Sequence, residues 1–146
     1  MIKAIAVLLF FVLTAIAALH AYWAMGGLWP GASERELIDT VVGDPRMEQM
    51  PAREVTLAVA GLLIFCGVIA LAAGGVFPAP VWLTSLLGVG AGLLFLARGA
   101  AGFFFEKVAW ETGEPFTSMN VRFYSPLCLV IGAGFFALVA ARLLFR

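Results

Sequence analysis

Arg98 is the residue best placed to do chemistry in this chain: it lies inside a long apolar stretch, residues 82–105, and a guanidinium stays protonated there. Such a charge costs about 2.5–3.5 kcal/mol on insertion scales unless a partner meets it, and its planar fork suits carboxylates, phosphates and other anions. His20, the single histidine, is the other candidate, since an imidazole works as a general acid or base near neutral pH. It stands sixteen residues after Ala4, as Arg98 stands sixteen after Trp82, and the two stretches run in the same direction. The two side chains are therefore expected at one depth. Tyr22 and Trp23 close the first stretch beside His20. Glu106 follows Arg98 by eight residues on the same helical face, and Asn120, Arg122, Tyr124 and Ser125 lead into the last apolar stretch from the same end. Because no apolar stretch contains a carboxylate, the counter-charge for Arg98 is expected from Glu54, Glu106, backbone carbonyls or a bound anion.

Each of these residues also has a plainer use. An intramembrane arginine can fix helix ends to one another, and a lone histidine can simply bond a carbonyl or a tyrosine. Tyr22, Trp23 and Trp110 suit the membrane interface as belt aromatics. Met25, Met47, Met50 and Met119 gather toward the same end, and thioethers favour Cu(I), but one M-x-x-M spacing is a weak signal and no metal site is assigned. A single histidine excludes bis-histidine haem ligation within one chain, and no cofactor is expected. Cys66 and Cys128 lie in separate apolar runs at different depths, which leaves neither a disulfide framework nor a CxxC motif. No basic tract interleaved with aromatics points to nucleic acid.

The elements that must position these side chains are membrane spans. With 63% hydrophobic and 12% charged residues and a mean hydropathy of +1.04, the chain is far from a soluble domain, whose charged fraction is about 25%. Residues 1–146 read as one transmembrane domain, an all-α integral membrane four-helix bundle with spans at about residues 4–25, 55–73, 82–105 and 126–144. The third would be roughly 36 Å long at ~1.5 Å per residue, against ~30 Å of hydrocarbon. The first is longer than the ~7–15 apolar residues of a signal peptide and is read as retained.

Between spans one and two, Gly26-Gly27 and Trp29-Pro30-Gly31 turn the chain. Ser33 and Glu36 then have capping-box spacing, and Leu37, Ile38, Val41 and Val42 share one face of a short amphipathic helix in the first outer loop. Ser125 is expected to cap the last span, with Pro126 in its first helical position. Gly88, Gly92, Gly99, Gly102, Gly132 and Gly134 allow spans three and four to approach closely. Four spans put both termini on one side. All nine acids fall at residues 34–54 and 106–114, whereas Lys3, Arg142 and Arg146 stand on flanks without any acid. Basic residues on short flanks set orientation, so the termini are expected in the cytoplasm of a bacterial inner-membrane protein.

The segments Leu19-His20-Ala21-Tyr22-Trp23-Ala24-Met25-Gly26-Gly27-Leu28-Trp29 and Asn120-Val121-Arg122-Phe123-Tyr124-Ser125-Pro126-Leu127-Cys128-Leu129, with the Arg98 helix between them, resemble a family. It is the domain-of-unknown-function family 3995 of small bacterial membrane proteins, and the likeness spans nearly the whole chain. The resemblance implies a four-helix integral membrane protein and directs attention to His20, Tyr22, Trp23, Arg98, Asn120, Tyr124, Ser125 and Cys128. It implies no activity. Pro30 stands where the family pattern has a glycine.

Residues and resemblance together lead to a non-catalytic membrane protein with an outer-leaflet polar pocket. His20, Tyr22, Trp23, Arg98, Glu106, Asn120, Arg122, Tyr124 and Ser125 are its expected ligand-binding residues. The pocket would bind a small anionic or amphipathic ligand, such as a lipid head group or a quinone, beneath the short helix. Two alternatives stand beside this reading. One is a small membrane enzyme acting on a lipid-soluble substrate, with His20 as acid/base and Arg98 stabilising an anionic intermediate. The other is an accessory subunit of a larger membrane complex, or a homo-oligomer, docking through glycine-rich faces.

Overall fold

The structure is a computed structural model, which describes residues 1–104 and 112–144. It is helical throughout, with no strand among the described residues. In chain order the elements are α1 (Ile2–Ala24), α2 (Glu34–Val41), α3 (Arg53–Ala73), α4 (Val81–Gly102), α5 (Phe116–Met119), a π-helical turn (Asn120–Tyr124) and α6 (Ser125–Leu144). Four helices are long and apolar enough to cross a membrane: α1, α3, α4 and the continuous helix Phe116–Leu144.

Two tight helix pairs make the bundle, α1 against α3 and α4 against α6. On α1 the buried side chains Ala6, Leu9, Leu13 and Ala17 recur at helical spacing and face α3 and α6, while Leu8 and Phe11 point outward. Outward-facing leucine and phenylalanine are normal where the solvent is lipid, since lipid tails are as apolar as the core. At the centre, Phe95 of α4 stacks with Phe135 of α6, centroids 6.2 Å apart.

Small residues set the α4–α6 spacing. A Cβ on Gly88 would stand 2.7 Å from Val139, one on Gly92 would stand 2.8 Å from Phe136, and one on Gly99 would stand 2.8 Å from Leu129. Gly88, Gly92 and Gly99 thus face the chain's own last helix. Gly134 does something different: it faces Leu9 of α1, 3.0 Å from where its Cβ would be, and so helps join the two helix pairs.

The short helix forms as its capping residues dictate. Ser33 Oγ accepts from the Glu36 amide at 3.2 Å, and Glu36 Oε2 reaches back to the Ala32 amide at 2.8 Å. Leu37 and Ile38 are fully buried beneath it, whereas Arg35 and Asp39 pair at 2.7 Å on its outer face. The helix closes at Gly43, whose φ of +76° is the left-handed conformation glycine adopts without strain. Asp44 follows, accepting from the Arg46 amide and side chain at 2.8–3.0 Å; these bonds hold its carboxyl down to about 2.

Two boundaries differ from the sequence expectation. Helix α4 ends at Gly102, not at residue 105. The last helix begins at Phe116, about ten residues before Pro126, because the backbone passes through Ser125 without leaving helical geometry (φ −68°, ψ −48°). Ser125 therefore caps nothing; its amide bonds the Asn120 carbonyl five residues back, and that wide turn is the π segment.

Candidate functional site

The polar side chains singled out above fall into two clusters. In the first, Asn120 is the hub. The π turn puts Asn120 and Ser125 on one face, so that Ser125 Oγ donates to Asn120 Oδ1 at 3.2 Å. Arg98 Nη2, reaching across from α4, donates to the same oxygen at 3.2 Å, and Asn120 Nδ2 donates to the Gly102 carbonyl at 2.7 Å. Asn120 and Ser125 are buried and Arg98 is half-buried. Gly102 makes the arrangement possible, because a Cβ there would run into Ser125 Oγ and stand 3.0 Å from both Arg98 Nη1 and Asn120 Nδ2. The result is a guanidinium held in a fixed direction at the end of two apolar helices.

Tyr124 belongs to the same turn and ties it to the short helix. Its hydroxyl donates to the Thr40 carbonyl at 3.2 Å, and its ring lies 6.0 Å from that of Phe116, which fills the space over Gly43. The buried side of α2 is thereby seated on the helix that carries Asn120. Tyr124→Phe should loosen α2 without unfolding the bundle, at a cost of about 1 kcal/mol for one neutral hydrogen bond. The expected observation is faster amide hydrogen exchange at residues 38–43, with exchange in α1, α3 and the centre of α4 unchanged.

The second cluster is His20, Tyr22 and Trp23. His20 Nδ1 lies 2.8 Å from the Ile16 carbonyl one turn earlier, and its ring is 5.1 Å from that of Trp23. Trp23 Nε1 donates to the Trp29 carbonyl at 2.7 Å, and the Tyr22 hydroxyl accepts from the Trp29 amide at 3.4 Å. Gly27 lies flat against the Tyr22 ring, where no Cβ would fit. All these bonds stay within α1 and the turn after it. Helix α1 packs on α3 and, less extensively, on α6, while α4 packs on α6 and, less extensively, on α3, so the helices that carry His20 and Arg98 stand diagonally in the bundle.

Glu106, expected among the ligand-binding residues and as a counter-charge, lies outside the described residues. Glu54 is exposed at the start of α3, and Arg122 is exposed on the π turn, away from the buried face that Asn120 uses. Cys128 is half-buried one turn after Ser125. Among the described residues no group of three or more His, Cys, Asp or Glu side chains is arranged to hold a metal ion.

A family model described as "Protein of unknown function (DUF3995)" matches residues 13–135. The chain belongs to that family. The matched region runs from the middle of α1 to the middle of α6 and takes in both polar clusters and α2. No curated protein and no solved structure is significantly similar to the chain. The DUF3995 assignment agrees in size and helix content with four membrane-length helices, and it carries no activity.

Sequence reasoning read Gly102 only as a packing glycine and missed Thr40. Gly102 supplies a carbonyl and an empty Cβ position to the Arg98 cluster, and only its place one turn after Arg98 hints at that role. Thr40 contributes a backbone oxygen, which leaves no trace in residue type.

Proposed function

We propose that this DUF3995 protein is a non-catalytic protein of the bacterial inner membrane, with cytoplasmic termini, whose Arg98 end binds a small anionic or amphipathic molecule such as a lipid head group or a quinone. The observation that carries this reading is the buried Asn120, which orients the Arg98 guanidinium while being locked itself by Ser125 and the Gly102 carbonyl. A charge aimed in advance loses little freedom when an anion arrives. Helix α2, seated through Tyr124, would cover the ligand, and Arg98 would supply charge and forked hydrogen bonds. His20, Tyr22 and Trp23 would form a neighbouring wall, since their polar atoms already bond their own helix and turn. The cytoplasmic placement of the termini is supported by Lys3 and Arg142, basic residues on flanks that carry no acid.

Native mass spectrometry of the protein, gently extracted from its own membrane, tests this. A stoichiometric small molecule is expected on the wild-type chain, lost in Arg98→Leu and retained in His20→Gln, with all three proteins eluting as the same folded species. Arg98→Lys, which keeps the charge without the fork, should hold it about tenfold more weakly. A wild-type protein carrying no small molecule, or carrying only another polypeptide, would sink the ligand reading.

A further inference from the structure

The opposite end of the bundle carries a second polar feature. A cleft of about 340 Å³ opens there between the start of α1, the α3–α4 connection and the last turns of α6, lined among others by Ile2, Lys3, Gly74, Gly75 and Arg142. Arg142 Nε is buried and has no hydrogen-bond partner among the described residues. Its Nη1 lies over Gly75, where a Cβ would stand only 2.6 Å away, and Gly75 holds a φ of +68°. The chain thus keeps the side of the connection facing this guanidinium bare. Among the described residues no aspartate or glutamate lines the cleft. A half-buried guanidinium and an exposed ammonium thus line one concave space, with no carboxylate side chain among its described lining residues.

We propose that this cleft is a binding site for a phosphate-bearing anion, with Arg142 as the forked donor and Lys3 as the second charge. Guanidinium Nε and Nη groups match two phosphate oxygens at once, and Lys3 adds a point charge that needs no fixed geometry. Both residues flank membrane-length helices, so the site lies at the depth of lipid head groups, where phosphodiesters are abundant. The same chemistry would accept the phosphate of a soluble compound. This site is independent of the Arg98 end and does not rest on the function proposed for it.

The test uses the full chain, delipidated in a neutral detergent, with native mass spectrometry against phosphatidylglycerol and phosphatidylcholine of identical acyl chains. Wild type should hold one phosphatidylglycerol about tenfold more tightly than phosphatidylcholine, whose own ammonium competes for the phosphate. Arg142→Gln should remove that preference and Lys3→Gln should halve it or more, while Arg46→Gln, at an exposed arginine paired with Asp44, leaves it intact. Should Arg142→Gln fail to fold, Arg142→Lys serves, with an expected several-fold weakening. Displacement of the lipid by millimolar inorganic phosphate would assign the site to phosphate itself, including soluble phosphates; preference without displacement would assign it to the lipid head group. Equal retention of the two lipids with no effect of phosphate, or an unchanged preference in the Arg142 variants, overturns the proposal.

Discussion

Gly102→Ala should be among the most damaging single-methyl additions in this protein, with loss of about 2–3 kcal/mol and a clear fall in the yield of folded protein, and Gly102→Val should give none. The reason is local and specific. A Cβ at residue 102 would overlap Ser125 Oγ and press on Arg98 Nη1 and Asn120 Nδ2, each 3.0 Å away. Overpacking a close-packed interior costs about 1–3 kcal/mol through forced side-chain and backbone shifts. Here the displaced side chains are Asn120 and two that donate to it, Ser125 and Arg98, so strain and lost polar bonds add. A double-mutant cycle separates the two contributions. Ser125→Ala removes the oxygen that the new methyl would strike, at the cost of one hydrogen bond to Asn120. Alanine at 102 should therefore cost less beside alanine at 125 than beside serine, by a coupling of about 1 kcal/mol or more. Thermal unfolding in detergent, followed by size exclusion, reads all four proteins. Strict additivity would mean that Ser125 is not what Gly102 makes room for.

The contrast with Gly88, Gly92 and Gly99 is instructive. Gly88 and Gly92 face first the side chains of Val139 and Phe136, which have other rotamers to adopt, and Gly99 faces Leu129 and the Ser125 carbonyl, whereas Gly102 faces polar atoms of Ser125, Arg98 and Asn120, three side chains that bond one another. All of them read as one small-residue stripe. Only the structure separates packing glycines from the one that admits a polar network.

Much of the fold was legible because its causes are local. Four apolar runs of bilayer length give four helices, and Ser33 and Glu36 start α2 as their spacing requires. The interior-facing pattern of α2 was equally clear, since Leu37 and Ile38 are buried and the charged residues are not. What failed was the local rule at Tyr124-Ser125-Pro126. A serine followed by a proline is a sound start signal, yet the helix runs straight through it. A π turn is compatible with such a sequence because the amide that proline lacks would have been the next one in need of a partner. No propensity distinguishes that outcome from a fresh helix start.

The assembly of the site was less legible still. Counting residues from the membrane edge ranks side chains by depth but says nothing about which helices are neighbours. In a soluble bundle the apolar stripe would point each helix inward, but here both the lipid-facing and core-facing sides are apolar, as Leu8 and Leu13 of α1 illustrate. Pairing of α1 with α3 and of α4 with α6 was therefore not readable, and neither was the diagonal placement of the helices that carry His20 and Arg98. Asn120 could be singled out by type. Its place at the centre of the cluster depends on the π turn that carries it inward.

Asn120→Leu should show the next largest effect, a loss of about 2–4 kcal/mol, although leucine nearly matches the volume of the amide. Hydrogen bonds inside membranes average only about 0.6 kcal/mol net, which by itself would predict a mild result. Asn120 is different because it serves three partners at once and is 3% exposed. Removing it leaves the Gly102 carbonyl and the Ser125 hydroxyl buried without it, and takes one acceptor from a guanidinium; unsatisfied buried groups cost about 1–3 kcal/mol each, more when charged. Asn120→Asp should fall between the two. An ionised aspartate still accepts from Arg98 and Ser125 but cannot donate to the Gly102 carbonyl, so the fold keeps two of the three bonds. Function should respond in the opposite order to stability. The new carboxylate puts a negative charge at contact distance from Arg98 and repels any other anion there, so a protein that holds an anion through Arg98 should lose it completely in Asn120→Asp while remaining better folded than Asn120→Leu. If Arg98 serves only to lock two helix ends together, a carboxylate at residue 120 should leave whatever the protein binds untouched. Stability and ligand retention measured on the same two variants therefore decide between a recognition arginine and a structural one.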